Sequence, residues 1–178
     1  MKIPEQFNKE EYKKIFKDML DTKEIKKSNE TFKIKQFLKK AENSILIAKH
    51  HKEYEPKKDD AEKIYWDIWA ITISYYSMLY ATKAAILSKG YEVKTHDAAQ
   101  IALGHLLVPD KILKEDLELL NQSHKIVEDE YVKYFSDAKT ESYNARYKAF
   151  NTYTKRQLED IYTNATKLIG KITLMLQE

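Results

Sequence analysis

Five histidines are the residues of this 178-residue chain whose type best suits acid–base chemistry or metal binding. They are His50, His51, His96, His105 and His124. Carboxylate-bridged metal sites in helical bundles use a glutamate followed three residues later by a histidine, which puts both ligands on one helical face. The residue three positions before each histidine is never acidic here. The sequence therefore predicts no metal site of this local kind.

Other catalytic motifs are also missing from the sequence. The chain has no cysteine, which excludes disulfides, zinc ribbons, iron–sulfur clusters and thiol nucleophiles. No Gly-x-Ser-x-Gly elbow is present. The three glycines, Gly90, Gly104 and Gly170, lie too far apart to form a loop that cradles phosphate. We therefore predict no cofactor.

The aromatic and basic residues are compatible with nucleic-acid binding but are not specific to it. The chain has 13 Tyr and 2 Trp, which could stack on bases, although many lie at apolar helical positions where core packing is the commoner role. Its 31 basic residues include only two arginines, Arg146 and Arg156. Arginine is the residue that grips phosphate through two parallel hydrogen bonds, so this scarcity matters.

The elements that must position these residues are predicted to be helices. A chain with only 3 Gly and 3 Pro has few turns, which argues against sandwiches, barrels and alternating β/α folds. An amphipathic helix is expected to begin near Pro4, and Ser28 or Asn29 can cap a second one. Pro109 opens a later segment, and a long final helix follows.

The most informative stretch is uncharged from residue 68 to residue 82, in a chain that is otherwise 33% charged. We expect a helix from Asp60 to Lys89 that ends at Gly90 and is surrounded by the other helices. Thr95 is predicted to cap a short helix over 96–107. The sequence therefore predicts an all-α, up-and-down helical bundle that forms a single domain over residues 1–178.

The same uncharged stretch indicates whether the chain can span a membrane. It is shorter than the roughly 20 apolar residues that cross a bilayer. The N-terminal residues also lack the apolar core of a signal peptide. The sequence predicts a soluble, cytoplasmic protein without membrane contact.

The amino-acid sequence of the central helix resembles that of the central helix in the HEPN (higher eukaryotes and prokaryotes nucleotide-binding) domain. That helix reads YYAMFYAAKALL and is followed by KG and KTH. The resemblance covers about residues 30–135, and 1–27 and 142–178 look like helical extensions. The matching residues are Tyr75, Tyr76, Met78, Tyr80, Ala81, Lys83, Ala84, Leu87, Lys89, Gly90, Lys94, Thr95 and His96.

The resemblance implies a bundle of four core helices with extra helices at both ends, commonly assembled as a homodimer. Many members of the family are metal-independent endoribonucleases, and others pair with a minimal nucleotidyltransferase as toxin and antitoxin. It also implies nucleotide binding along the central helix. We expect Tyr76, Tyr80 and Lys83, together with His96, to contact the nucleotide.

The nuclease members of the family carry an arginine followed, after four to six residues, by a histidine. In this chain both Arg146 and Arg156 come after the last histidine, His124, so the sequence does not contain that motif. The nearest counterpart starts at His124-Lys125 and ends at Tyr131. A lysine offers phosphate a point charge, and a phenol, which titrates near about pH 10, is a poor base at neutral pH.

Three hypotheses follow from the resemblance and from this departure. The leading one is a catalytically degenerate bundle, not an enzyme, that dimerises and binds a nucleotide or a nucleotidyltransferase partner. The alternative is a ribonuclease toxin with a substitute site made of His124, Lys125 and Tyr131. The third is an interaction scaffold with no nucleotide role.

Overall fold

The computed structural model of the chain consists mainly of helices. It describes residues 3–4, 7–55, 60–137 and 143–177, and the side chains among these except 60–62, 64, 128–137 and 143–154. The elements in chain order are α1 (Lys9–Asp21), β1 (Ile25–Lys27), α2 (Phe32–Glu53), α3 (Asp60–Ser88), β2 (Tyr91–Val93), α4 (His96–Leu107), α5 (Lys114–Asp137) and α6 (Tyr143–Met175).

Helix α3 lies at the centre of the bundle. It packs most extensively against α2 and α6, and it also contacts α4, α5 and β2. The stretch from residue 68 to residue 82 can be surrounded in this way because it has no charged side chain that must stay in water. The helix ends before Gly90, whose φ of 82° lies in the left-handed region that favours glycine. Its buried apolar side chains are Ala70, Ile71, Tyr75, Met78, Leu79, Ala81, Ala84, Ala85, Ile86 and Leu87.

Helix α1 covers one side of α4. It begins where the Asn8 side chain accepts hydrogen bonds from the backbone N–H groups of Glu10 and Glu11. Its apolar residues recur every three or four positions, so they share one face of the helix. That face is buried against the core and consists of Tyr12, Ile15, Phe16 and Met19.

A two-stranded antiparallel sheet connects the ends of α1 and α3. Strand β1 pairs with β2 in a register that places Ile25 opposite Val93 and Lys26 opposite Glu92. Ile25 and Val93 are buried, whereas Lys26 and Glu92 form an ion pair at 3.0 Å on the outer side. The sequence does not predict this sheet, because each strand has only three residues and the two are far apart along the chain.

An ion pair joins α5 to α6. The Lys171 Nζ donates to Oδ1 of Asp116 at 2.7 Å and to Oδ2 at 2.6 Å. The Asp116 carboxylate also accepts a hydrogen bond from the backbone N–H of Leu113 at the start of α5. The Asp116 side chain therefore accepts from the backbone at the start of α5 and also connects α5 to α6. The buried apolar residues of α6 follow a helical repeat and are Leu158, Ile161, Ala165, Leu168, Ile169 and Ile172.

The structure confirms the predicted all-α helical bundle and corrects several boundaries. Helix α1 begins at Lys9 rather than near Pro4, and Thr31 occupies the N-cap position of α2. Thr95 caps α4 as predicted, because its hydroxyl accepts from the Ala98 N–H at 3.1 Å. Pro109 lies in the turn before α5, which starts at Lys114. None of the described helices combines the length and the apolar character that a membrane span requires.

Candidate functional site

Three helices bring two histidines and two tyrosines together. Tyr75 and Tyr76 project from the middle of α3, His96 is the first residue of α4, and His124 lies midway along α5. The Thr95 cap fixes where α4 starts and therefore where the His96 ring stands. Tyr75, Tyr76, His96 and His124 are called the histidine–tyrosine cluster below.

The polar atoms of the cluster form a hydrogen-bonded chain. The Tyr75 hydroxyl lies 3.1 Å from Nδ1 of His96, and the same Nδ1 lies 3.2 Å from Nε2 of His124. When this Nδ1 carries a hydrogen, either neighbour can accept it. When it carries the lone pair, the hydroxyl or the second imidazole can donate to it. Nδ1 of His96 is thus within hydrogen-bonding distance of both Tyr75 and His124.

The rings of the cluster also pack on one another. The Tyr75 ring stacks on His124 with centroids 5.4 Å apart and planes inclined by 26°. Tyr76 meets His96 edge to face at 5.7 Å. Tyr75 is only 1% exposed, whereas Tyr76 and both histidines are half-buried. The cluster therefore has a fixed aromatic base and an outer part that solvent reaches.

The cluster combines residues that the sequence assigns to different roles. His124 is predicted as a catalytic residue, whereas Tyr76 and His96 are predicted to bind a nucleotide. The sequence does not single out Tyr75 as a site residue. The signal that could have identified Tyr75 is its place in the family resemblance, one residue before Tyr76 on the same helix.

The other two predicted catalytic residues are not part of the described cluster. Lys125 follows His124 by one residue, so it lies about 100° further around α5. Its side chain is exposed, and among the described side chains it makes no ion pair. Tyr131 belongs to α5, but its side chain lies outside the described residues. The structure therefore pairs His124 with His96 instead of with Lys125.

Tyr80 and Lys83 lie one and two turns further along α3. Lys83 belongs to a second group of polar residues, and Tyr80 lies beside it. This group contains Lys26, Lys33, Lys40, Lys83 and Glu92 and is called the lysine cluster below. Glu92 pairs with Lys26 at 3.0 Å and with Lys33 at 3.2 Å. The Lys40 Nζ lies 5.7 Å from the centroid of the Tyr80 ring. The predicted nucleotide-binding residues are thus divided between two neighbouring groups.

Charge and burial set the pKa values of two residues in the lysine cluster. Hydrogen bonding to Lys26 is the largest influence on Glu92 and lowers the pKa of its carboxyl, with a further contribution from Lys33. Burial lowers the pKa of the Lys83 ammonium, and the nearby Lys40 charge lowers it further. The negative charge of Glu92 acts on Lys83 in the opposite direction. Lys83 is therefore a cation held in an environment that penalises its charge.

The part of the chain that the structure describes contains no group of three His, Cys, Asp or Glu side chains arranged to hold a metal ion.

The HEPN domain family model matches residues 68–174, which is more than half of the chain. The matched range begins and ends later than the predicted 30–135, so it includes α6 and leaves out α1 and α2. All four residues of the histidine–tyrosine cluster fall inside it. Searches of the curated proteins and of the solved structures return no match. The family resemblance of the central helix is thus confirmed by a match that extends almost to the C-terminus, and the chain belongs to the HEPN domain family.

Proposed function

We propose that this HEPN protein binds a nucleotide or single-stranded RNA at the histidine–tyrosine cluster. The observation that carries the proposal is the convergence of two imidazoles, 3.2 Å apart between His96 Nδ1 and His124 Nε2, on a base of tyrosine rings. Half-buried aromatic rings provide faces on which a base can stack, and imidazoles donate and accept hydrogen bonds at base edges or phosphates. Family membership supports a ligand of the nucleotide or RNA class.

The proposed mode of action is association without catalysis, as a homodimer or with a nucleotidyltransferase partner in a toxin–antitoxin pair in the cytoplasm. Two considerations support it. The chain has no arginine before His124, the position at which the family nucleases carry theirs. The described surface also exposes large apolar side chains on α2 and α3, such as Leu46 and Trp69, which suits protein contacts.

A second candidate function is metal-independent RNA cleavage. The distance of 3.2 Å between His96 Nδ1 and His124 Nε2 favours it, because one imidazole can take the proton from a 2′-hydroxyl as that oxygen attacks the phosphorus. The other imidazole can give a proton to the 5′-oxygen that departs. The family nucleases place an arginine on the phosphate. In this chain the exposed Lys125 next to His124 is the closest counterpart in sequence, and it supplies only a point charge.

The test measures binding of ATP and of a fluorescently labelled single-stranded RNA to the wild type and to His96→Asn and His124→Asn. We expect saturable binding that weakens about tenfold or more in each variant, because each substitution removes one ring of the cluster. His50→Asn is the matched control, since His50 is exposed on α2. Circular dichroism verifies that the variants fold. Equal affinities of the wild type and both cluster variants would overturn the proposal.

The same proteins, incubated with structured and single-stranded RNA, separate the two candidates. Association without catalysis predicts intact RNA in every sample. Cleavage that persists in His50→Asn and Lys125→Ala but disappears in His124→Asn would establish the second candidate, with the histidine pair as its proton-transfer unit. Cleavage lost in Lys125→Ala as well would restore the predicted partnership of His124 with Lys125.

A further inference from the structure

The lysine cluster carries more positive charge than its carboxylates neutralise. Glu92 faces Lys26 at 3.0 Å and Lys33 at 3.2 Å, and Lys33 also pairs with Glu30. Two carboxylates thus engage two lysines. Among the described residues, no carboxylate lies within ion-pairing distance of Lys40 or Lys83. Two ammonium groups of this cluster therefore have no ion-pair partner among the described residues, one on the exposed Lys40 and one on the half-buried Lys83.

The two lysines differ in their surroundings, because Lys40 is exposed beside aromatic rings and Lys83 is half-buried. The Lys40 Nζ lies over two aromatic rings, 5.9 Å from the centroid of Phe37 and 5.7 Å from that of Tyr80. Cation–π contacts at an exposed site are weak and do not neutralise the cation. Lys83 is half-buried on α3. The charge of Lys40 lowers the pKa of its ammonium group, and the charge of Glu92 raises it. Burying an ammonium group without a partner is unfavourable, so an anion that reaches Lys83 relieves this cost, and the exposed Lys40 adds a second positive charge.

We propose that Lys40 and Lys83, with Lys33 beside them, form a binding site for the phosphate groups of a nucleotide. The chemical class of the ligand is a phosphate monoester or polyphosphate with at least two negative charges. An anion of that charge would match the two unpaired ammonium groups. Because the chain uses lysines here and no arginine, the contacts are point charges, and binding depends strongly on ionic strength.

The position of the site relates it to the proposed function, on which this inference rests for the nature of the ligand. Tyr76, Tyr80 and Lys83 are spaced by four and three residues and therefore share one face of α3. Seven residues of helix separate Tyr76 from Lys83, a rise of about 10 Å. A nucleotide whose base contacts the histidine–tyrosine cluster can therefore reach Lys83 with its phosphates.

The direct experiment titrates the full-length protein with inorganic pyrophosphate at low ionic strength and follows binding by calorimetry. Pyrophosphate contains no base, so it tests the lysine cluster alone. We expect saturable binding that weakens about tenfold in Lys83→Met and in Lys40→Met. Lys83→Arg should restore most of it, because it keeps the charge. Lys89→Met, an exposed lysine just after α3, is the matched control and should bind as the wild type does.

Two results would overturn this inference. One is the absence of saturable pyrophosphate binding to the wild type. The other is equal binding by the wild type, Lys83→Met and Lys40→Met. A parallel titration with adenosine separates this inference from the proposed function. We expect His96→Asn to lose adenosine binding and keep pyrophosphate binding, and Lys83→Met to show the reverse. A wild type that binds adenosine but not pyrophosphate would overturn this inference alone, whereas one that binds pyrophosphate but not adenosine would overturn the proposed function alone.

Discussion

At the scale of single residues, the histidines differ more in their surroundings than in their sequence context. His96 and His124 share a hydrogen bond, whereas His105 is half-buried against Phe16, with ring centroids 4.6 Å apart. The Nδ1 atom of His105 is buried and has no hydrogen-bond partner among the described residues. Burial is the main influence that lowers the pKa of His105, and the charges of Lys13 and Lys9 lower it further.

The lowered pKa of His105 predicts a pH dependence of stability. In the unfolded chain an imidazole protonates near about pH 6.5, whereas in the folded chain His105 stays neutral to lower pH. Its contribution is therefore complete above about pH 6.5 and is lost as the pH falls from there toward the folded-state pKa. The free energy of unfolding, measured in urea between about pH 7.5 and 5.5, should fall less steeply in His105→Phe than in the wild type.

His105→Phe keeps an aromatic ring beside Phe16 and removes the titrating group. The control is His50→Asn, an exposed position whose substitution should leave the pH slope unchanged. Identical slopes for the wild type and His105→Phe would contradict the assignment of this pH dependence to His105.

At the scale of elements, the approach of α1 to α4 depends on one glycine. Gly104 is buried in α4, and a Cβ atom added there would overlap the ring of Tyr12 on α1 and lie 3.1 Å from Cδ2 of Leu117. Helices approach this closely only where a side chain is missing from one of them. Glycine in a helix otherwise costs about 0.5–1 kcal/mol relative to alanine, so packing outweighs propensity at this position.

Two glycine-to-alanine substitutions should change stability in opposite directions. We expect Gly104→Ala to destabilise the fold by about 1–3 kcal/mol, because Tyr12 or the whole of α1 must shift. We expect Gly170→Ala, in α6 with no atom near the added Cβ, to stabilise it by about 0.5–1 kcal/mol. Chemical denaturation of both variants gives the two values. A neutral or stabilising Gly104→Ala would contradict the close packing of α1 on α4.

At the scale of the whole molecule, one hydrophobic core includes residues from α1 through α6. Phe16 of α1, Met78 of α3, Leu103 of α4 and Ile161 of α6 all belong to it. The family match begins at residue 68, yet α1 and α2, which precede it, supply part of this core. The predicted single domain over 1–178 therefore has a consequence for unfolding, since elements that share a core unfold together.

Destabilising α1 should shift the unfolding of α3 by the same amount. We expect Phe16→Ala, which leaves a cavity in the core, to lower the free energy of unfolding by about 3–5 kcal/mol. Trp66 and Trp69 on α3 report their own helix by fluorescence, and circular dichroism reports all helices. The two transitions should coincide and move together. Lys14→Ala, exposed on α1, is the control, and a tryptophan transition that Phe16→Ala leaves in place would mean separate folding units.

Local sequence determined the helices, because the properties that specify them lie within a few residues of one another. The uncharged run from 68 to 82 predicts a surrounded helix, and the cap at Thr95 and the terminator at Gly90 act on adjacent backbone groups. The amino-acid sequence of this helix also indicated the HEPN family, which the family-model match confirms.

Tertiary structure alone decided which of these residues meet. His96 and His124 lie 28 residues apart, and no helical repeat connects positions on different helices. The β1–β2 pairing and the contact between Gly104 and Tyr12 likewise depend on how α1, α3 and α4 pack. Sequence spacing predicts neighbours on one helix, whereas neighbours on different helices are set by the packing of their apolar faces. For that reason His124 could be named as a candidate from the sequence, but its partner, His96, could not be assigned until α4 and α5 were placed against α3.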